Sequence, residues 1–201
     1  VQLSNITSIM RIKEIPSPQE QTLWNNFRAG DEVAFTQLST RYYRMFRHYG
    51  EKFTTNSQII EDAIQDLLVN LWVKRTSLTE VDSVKFYLLK AFRNQLFKTL
   101  RAFSAVPLEE DFQENFSEAS SEMFFIENES QQEQQSKISY FLKQLPDRQR
   151  EILYLRFYQD LRVEEIAQLL QIKPQSVSNI IQRALLNLRQ HWELLVPFIL
   201  L

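Results

Sequence analysis

The sequence predicts an all-α chain, with two small helical domains joined by an acidic, flexible linker. Three observations carry this expectation. Glycine occurs twice and proline six times in 201 residues, too few turn formers for a β-sandwich or a turn-rich α/β fold. Apolar residues recur at a period of roughly 3.6 on both sides of the chain's middle. Between the two periodic blocks the composition shifts to Glu, Gln and Ser, which cannot bury enough apolar surface to order itself. The expected divisions are a mobile arm at 1–18 ending in "PSP", a helical domain at 19–103, a linker at 104–135, and a second helical domain at 136–201 with an apolar tail.

The elements follow in order. "DEVAFTQLSTRYYRMFRHYGEKF" carries Phe35, Leu38, Tyr42, Met45, Phe46 and Tyr49 on one helical face, with Asp31 as its N-cap. "SQIIEDAIQDLLVNLWVK" repeats the pattern through Ile60, Ile64, Leu67, Leu68, Leu71 and Trp72, and "SVKFYLLKAFRNQLFKTLRAF" is a third long helix capped by Ser83. In the linker, "MFFI" at Met123–Ile126 is an apolar exception that could dock on a domain or a partner. Helical pattern returns at Ile138; "LPDRQREILYLRFYQDL" places Pro146 at a helix start, where the missing N–H costs nothing. Two short amphipathic helices then share a tight turn. Val163, Ile166, Leu169 and Leu170 form one face; Val177, Ile180, Ile181, Ala184, Leu185 and Leu188 form the other, and Ala167 is small enough for close approach.

Composition excludes several function classes. The chain has no cysteine, and His48 and His191 are its only histidines, so neither a disulfide framework nor a metal cluster is expected. No phosphate-binding glycine loop is present, and neither histidine has a convincing partner in sequence. No catalytic residue, cofactor or small-molecule substrate is therefore expected, and the chain does not read as an enzyme. The longest apolar run, "LLVPFILL" at Leu194–Leu201, is far short of the roughly 20 residues that span a bilayer. No secretory pattern opens the sequence. The expectation is a cytoplasmic protein without membrane insertion.

The net charge of −2 conceals a division. From Ser83 to Leu108 there are five basic residues and no acidic one; from Glu109 to Glu133 there are nine acidic residues and no basic one. The start of the last helix exposes Gln175, Ser176, Ser178, Asn179, Gln182 and Arg183, donors and acceptors suited to base edges and phosphates. These residues alone serve a DNA reader and an ordinary helical hairpin with a polar face equally well.

"LPDRQREILYLRFYQDLRVEEIAQLLQIKPQSVSNIIQRALLNLR" resembles region 4 of bacterial sigma factors of the extracytoplasmic-function (ECF) group, through Leu145–Pro146, Arg150, "EEIAQLL", Val177 and the "RAL" and "LR" that follow. Independently, "EDAIQDLLVNLW" resembles region 2.2, and "VKFYLLKAFRNQLFKTLR", with its Arg93–Asn94 pair, resembles regions 2.3 and 2.4. Together the two resemblances run from about Glu32 to Arg189.

The resemblance implies a protein that binds core RNA polymerase and directs it to promoter DNA. Glu61, Asp62, Gln65, Asp66 and Asn70 would face the polymerase, while Leu71 and Trp72 are expected in the core. The segment from Lys74 to Asp82, including Arg75, would hold a flipped promoter base. Lys85, Lys90, Arg93, Asn94, Lys98 and Arg101 would line a single-stranded DNA path, with Phe86 and Tyr87 available for stacking; a solvated helix face is the plainer alternative for the basic stripe. Gln175, Ser176, Ser178, Asn179, Gln182 and Arg183 would read the minus-thirty-five element in the major groove. The acidic linker would mimic nucleic acid in a basic channel or serve as a solvated tether. An anti-sigma factor would be a further partner, with "MFFI" and "LLVPFILL" as candidate contacts or as segments packed on their own domains.

The chain departs from the family pattern at several positions. Gln171 stands where relatives commonly have Gly, and a left-handed residue there costs a side chain about 1 kcal/mol. Arg162 stands where a Ser or Thr cap is usual, with Asp160 as a substitute. Ser178, Ile180 and Leu185 replace basic residues, which weakens phosphate attraction. Two other functions compete: a helix-turn-helix regulator acting without polymerase, and a sigma-like interaction protein that has lost promoter activity.

Overall fold

A computed structural model describes residues 18–103 and 145–195, and side chains for 19–103 and 145–187. These residues fall into two units built of helices and their connecting turns and loops, with no strand among them. The arm before Pro18, the acidic linker at 104–135, Met123–Ile126 and the tail beyond Leu195 lie outside the described residues.

The first unit has four helices: α1 (Pro18–Arg28), α2 (Glu32–Gly50), α3 (Ser57–Lys74) and α4 (Val84–Phe103), with a 3₁₀ turn at Arg75–Ser77 after α3. Three of the starts have a local cause. Asp31 Oδ1 accepts from the backbone N–H of Val33 at 2.8 Å and of Ala34 at 3.1 Å, capping α2 as expected. Asn56 accepts from Gln58 N–H at 3.0 Å to cap α3, and Ser83 Oγ accepts from Phe86 N–H at 3.1 Å to cap α4.

Helix α1 precedes the elements that periodicity predicts. At eleven residues it is too short to be stable alone, and burial of Trp24 and Phe27, at 0% and 1% exposure, holds it. It ends in a Schellman motif: Asp31 N–H reaches Asn26 C=O at 3.0 Å and Gly30 N–H reaches Phe27 C=O at 2.9 Å. Gly30 has φ +98°, which a side chain would resist.

Aromatic pairs run through the core of this unit and its margin. Phe46 and Phe92 have ring centroids 4.9 Å apart, Phe53 and Phe97 meet edge-to-face at 5.0 Å, and Phe35 packs on Trp72 at 5.1 Å. Leu38, Ile60, Ala63, Ile64, Leu67, Leu88, Leu89 and Leu96 fill the spaces between the rings. Helices α2 and α3 pack tightly at Gly50, where a Cβ would lie 2.9 Å from Ile60 Cγ2.

The second unit comprises α5 (Asp147–Leu153), which runs into a π-helical turn at Tyr154–Tyr158, then α6 (Val163–Leu170) and α7 (Pro174–Leu195). The widened turn stacks Tyr154 on Tyr158 at 5.0 Å and buries Gln159, whose amide donates to the Tyr154 hydroxyl at 2.7 Å. Pro146 is the N-cap of α5, one residue earlier than a first-turn position.

Candidate nucleic-acid interface

Helices α6 and α7 form the helix-turn-helix. Ile166, Ala167, Leu169, Leu170, Val177 and Ala184 are buried between them and α5. Gln171, in the turn, adopts the left-handed conformation at φ 54°, ψ 41°, so the chain takes the turn a glycine would favour and carries the strain. Ile172 N–H reaches back to Ala167 C=O at 3.0 Å and completes the reversal. Arg148 braces the same corner: its guanidinium donates to Leu170 C=O at 2.7 Å, a cation on the carbonyl end of α6.

The α6 start corrects the expectation for Asp160. Asp160 lies in the left-handed region at φ 50°. The N–H of Arg162 is taken instead by Glu165 Oε2 at 2.8 Å, and the Arg162 guanidinium meets Glu165 Oε1 at 3.1 Å. A carboxylate at the third helical position thus does what a Ser or Thr cap would begin.

On α7, Gln175, Ser176, Asn179, Gln182 and Arg183 are exposed and Ser178 is half-buried. Gln175 Nε2 donates to Asn179 Oδ1 at 2.9 Å, which aligns two amides one turn apart. The first turn of α7 contains no acidic residue, and exposed Lys173 precedes it, so its N-terminal dipole faces an approaching anion unopposed. Ile180 and Ile181 are half-buried, whereas Leu185 and Leu186 are exposed at 36% and 57%. The expected apolar face therefore loosens at Leu185, and the Leu188 side chain lies outside the described residues.

In the first unit, Tyr87, Lys90, Asn94, Lys98 and Arg101 follow one another at three- and four-residue steps along α4, and so share a face. Asn94, Lys98 and Arg101 are exposed, and Lys90 lies over the Phe86 ring at 5.8 Å. Lys85 is off this line and half-buried.

Arg93 is off it too. It is 8% exposed, its Nε donates to the Tyr49 hydroxyl at 3.0 Å, and its guanidinium lies 4.7 Å from the Phe97 ring centroid. The sequence stripe of basic residues is therefore broken by a packed arginine, because Arg93 faces the α2 side of α4. Tyr87 is also partly committed, edge-on to Trp24 at 5.2 Å, and burial pushes its phenol above the ordinary value.

The acidic residues of α3 lie at its surface. Gln65, Asp66 and Asn70 are exposed, and Glu61 and Asp62 half-exposed. Glu61 accepts from the Tyr43 hydroxyl at 2.7 Å and pairs with Arg47 at 3.6 Å. That hydrogen bond, which favours the protonated phenol, raises the Tyr43 pKa. Asp62, Gln65, Asp66, Gln95, Lys98 and Phe103 border a shallow groove between α3 and α4, with Asp66 accepting from Gln95 at 2.8 Å. Leu71 is buried in the core, as expected, whereas Trp72 is half-buried at its edge.

Arg75 is not a free basic group. Its guanidinium stacks 4.3 Å from the Trp72 ring centroid, Nη1 donates to Trp72 C=O at 2.7 Å, and Nε is buried without a hydrogen-bond partner among the described residues. Lys74 is exposed beside it. Beyond the 3₁₀ turn, the loop from Leu78 to Ser83 is tied to α1: Arg28 Nε donates to Leu78 C=O at 2.7 Å and Trp24 Nε1 to Thr79 C=O at 3.1 Å. Sequence reasoning missed both ties, since Trp24 and Arg28 precede the loop by 55 and 50 residues; a tryptophan in a short polar helix was the available signal.

Among the described residues no His, Asp and Glu cluster could hold a metal, and no helix is long and apolar enough to cross a membrane.

Residues 141–190, a span that includes the helix-turn-helix, match the family described as sigma-70, region 4. Fifteen chains of solved structures match the fold. One is the structure of CnrH in complex with the cytosolic domain of CnrY, at 17% sequence identity and a TM-score of 0.55, covering 86% of this chain and 96% of that one. Comparison with curated proteins gives no match.

Proposed function

We propose that this chain is an ECF-type sigma factor, binding core RNA polymerase and directing it to promoters. The single observation that carries the reading is the sigma-70 region 4 helix-turn-helix, with an acid-free N-terminal turn and exposed Gln175, Ser176, Asn179, Gln182 and Arg183, on the same chain as a four-helix unit with a cationic face. In this reading α7 enters the major groove at the minus-thirty-five element. Lys90, Asn94, Lys98 and Arg101 follow the melted strand at the minus-ten element, and Gln65, Asp66 and Asn70 meet the polymerase. A reader with few cations suffices, because attachment to the polymerase raises its effective concentration at the promoter.

The fold match to a protein solved with a cytosolic partner domain supports a protein regulator of this chain as well. We assign that partner to the anti-sigma class and the site of action to the cytoplasm.

The test is a pull-down of core polymerase followed by run-off transcription. Core binding with promoter-dependent transcripts is the expected result. Promoter DNA binding without core binding would instead favour a helix-turn-helix regulator, and core binding without transcripts a sigma-like interaction protein.

A further inference from the structure

We propose that Trp24 and Arg28, on α1, are positioning residues for the loop from Leu78 to Ser83, and that through this loop they set base preference at the minus-ten element. The proposal rests on the sigma-factor reading above and on the resemblance, which implies that this loop holds a flipped promoter base. Neither residue needs to touch DNA.

The loop joins α3 to α4. It lies between the 3₁₀ turn at Arg75–Ser77 and the start of α4, and Thr79, Glu80 and Asp82 are exposed. Its ends are anchored locally, by Leu78 N–H on Arg75 C=O at 3.3 Å and by the Ser83 cap on α4. Between them, two successive carbonyls point back to α1 and accept from Arg28 at 2.7 Å and Trp24 at 3.1 Å. Fixing adjacent peptide planes fixes the path by which the chain reaches Glu80, Val81 and Asp82.

The two donors are themselves held. Trp24 is fully buried, wedged between Phe27 at 5.4 Å and Tyr87 at 5.2 Å. Arg28 is steadied by Asn25 Oδ1 at 3.3 Å. The ring of Tyr87 belongs to α4, so Trp24 joins the loop, α1 and the first turn of the cationic helix in one packed unit. A pocket for a splayed base gains discrimination when its walls are ordered before the base arrives.

The experiment uses the full chain and three variants. Trp24→Phe keeps the ring and loses the donor; Arg28→Met keeps the stem and loses the donors; Arg28→Lys restores a cation able to reach one carbonyl. Amide hydrogen exchange is followed at Thr79–Ser83, core polymerase affinity is measured, and transcription is compared on promoters altered one base at a time in the minus-ten element. Trp24→Phe and Arg28→Met should each speed loop exchange about fivefold to tenfold, the loss expected for one hydrogen bond. They should flatten the minus-ten preference while core affinity stays within about twofold, and Arg28→Lys should recover part of both.

Unchanged exchange overturns the tether, and faster exchange with an unchanged base preference overturns the positioning role. Should Trp24→Phe fail to fold, the half-buried Arg28 variants decide the matter alone. A wild-type chain without core binding overturns the sigma-factor reading, an outcome visible before any variant is tested.

Discussion

Arg93 gives its Nε hydrogen to the Tyr49 hydroxyl at 3.0 Å, 44 residues away, and so ties α4 to α2 through the aromatic core. A residue that reads in sequence as one of five cations on a DNA-facing helix is thereby part of the packing.

Arg93→Met should lower the stability of the first unit by about 2 kcal/mol, the scale of losing a buried charged hydrogen bond. Lys98→Ala, at an exposed position, should leave stability within about 0.5 kcal/mol. Denaturant unfolding of the two variants makes the comparison, and equal losses would place Arg93 on the surface.

The exposed cations should act through phosphates. Removing Lys98 and Arg101 together should reduce the slope of log affinity against log salt for single-stranded promoter DNA by about 1.4, from roughly 0.7 per contact. The measurement is a salt titration of holoenzyme on a pre-melted template; an unchanged slope would assign both residues to a solvated face.

On α7, Gln182→Ala and Arg183→Ala should relax sequence preference at the minus-thirty-five element by about 1–3 kcal/mol at whichever base pair each reads. Minus-ten preference should not change. Competition binding with single-base promoter variants separates a base contact from a phosphate contact, which would weaken all sequences alike.

The left-handed Gln171 offers a stabilising substitution. Gln171→Gly should raise the stability of the second unit by about 1 kcal/mol, since glycine adopts φ 54° without the Cβ clash. Gln171→Ala should give no such gain. Thermal unfolding of both variants tests the point, and a destabilised glycine variant would mean that the Gln171 side chain makes contacts outweighing the strain.

His48 should make the first unit acid-sensitive. Burial holds its pKa below the usual value of 6.5, against the opposing pull of Glu51 and with the help of Arg44, Lys52 and Arg47. The unfolded chain therefore binds the proton more readily. The stability contribution is complete above about pH 6.5 and declines as pH falls through that value towards the lower folded pKa. Unfolding titrations of the wild type and His48→Gln between about pH 5 and 8 should differ in slope within that window and run parallel above it.

Much was legible in the sequence by itself. Scarce glycine and the helical period gave the all-α class. Asp31 and Ser83 announced helix starts, because a short side-chain oxygen beside free N–H groups acts through its nearest neighbours alone. The polar start of α7 and the acidic face of α3 were visible for the same reason: side-chain direction along a helix follows from spacing. Tertiary structure decided what depends on distant neighbours. Periodicity cannot say that Arg93 meets Tyr49, that Arg75 lies on Trp72, or that Glu165 rather than Asp160 serves the start of α6. Nor can it show that α1, polar and short, exists because Trp24 and Phe27 are buried, and that it then grips the Leu78–Ser83 loop. Local chemistry sets where helices begin and which face is polar. Which cations remain available to a ligand is settled only when packing consumes the others.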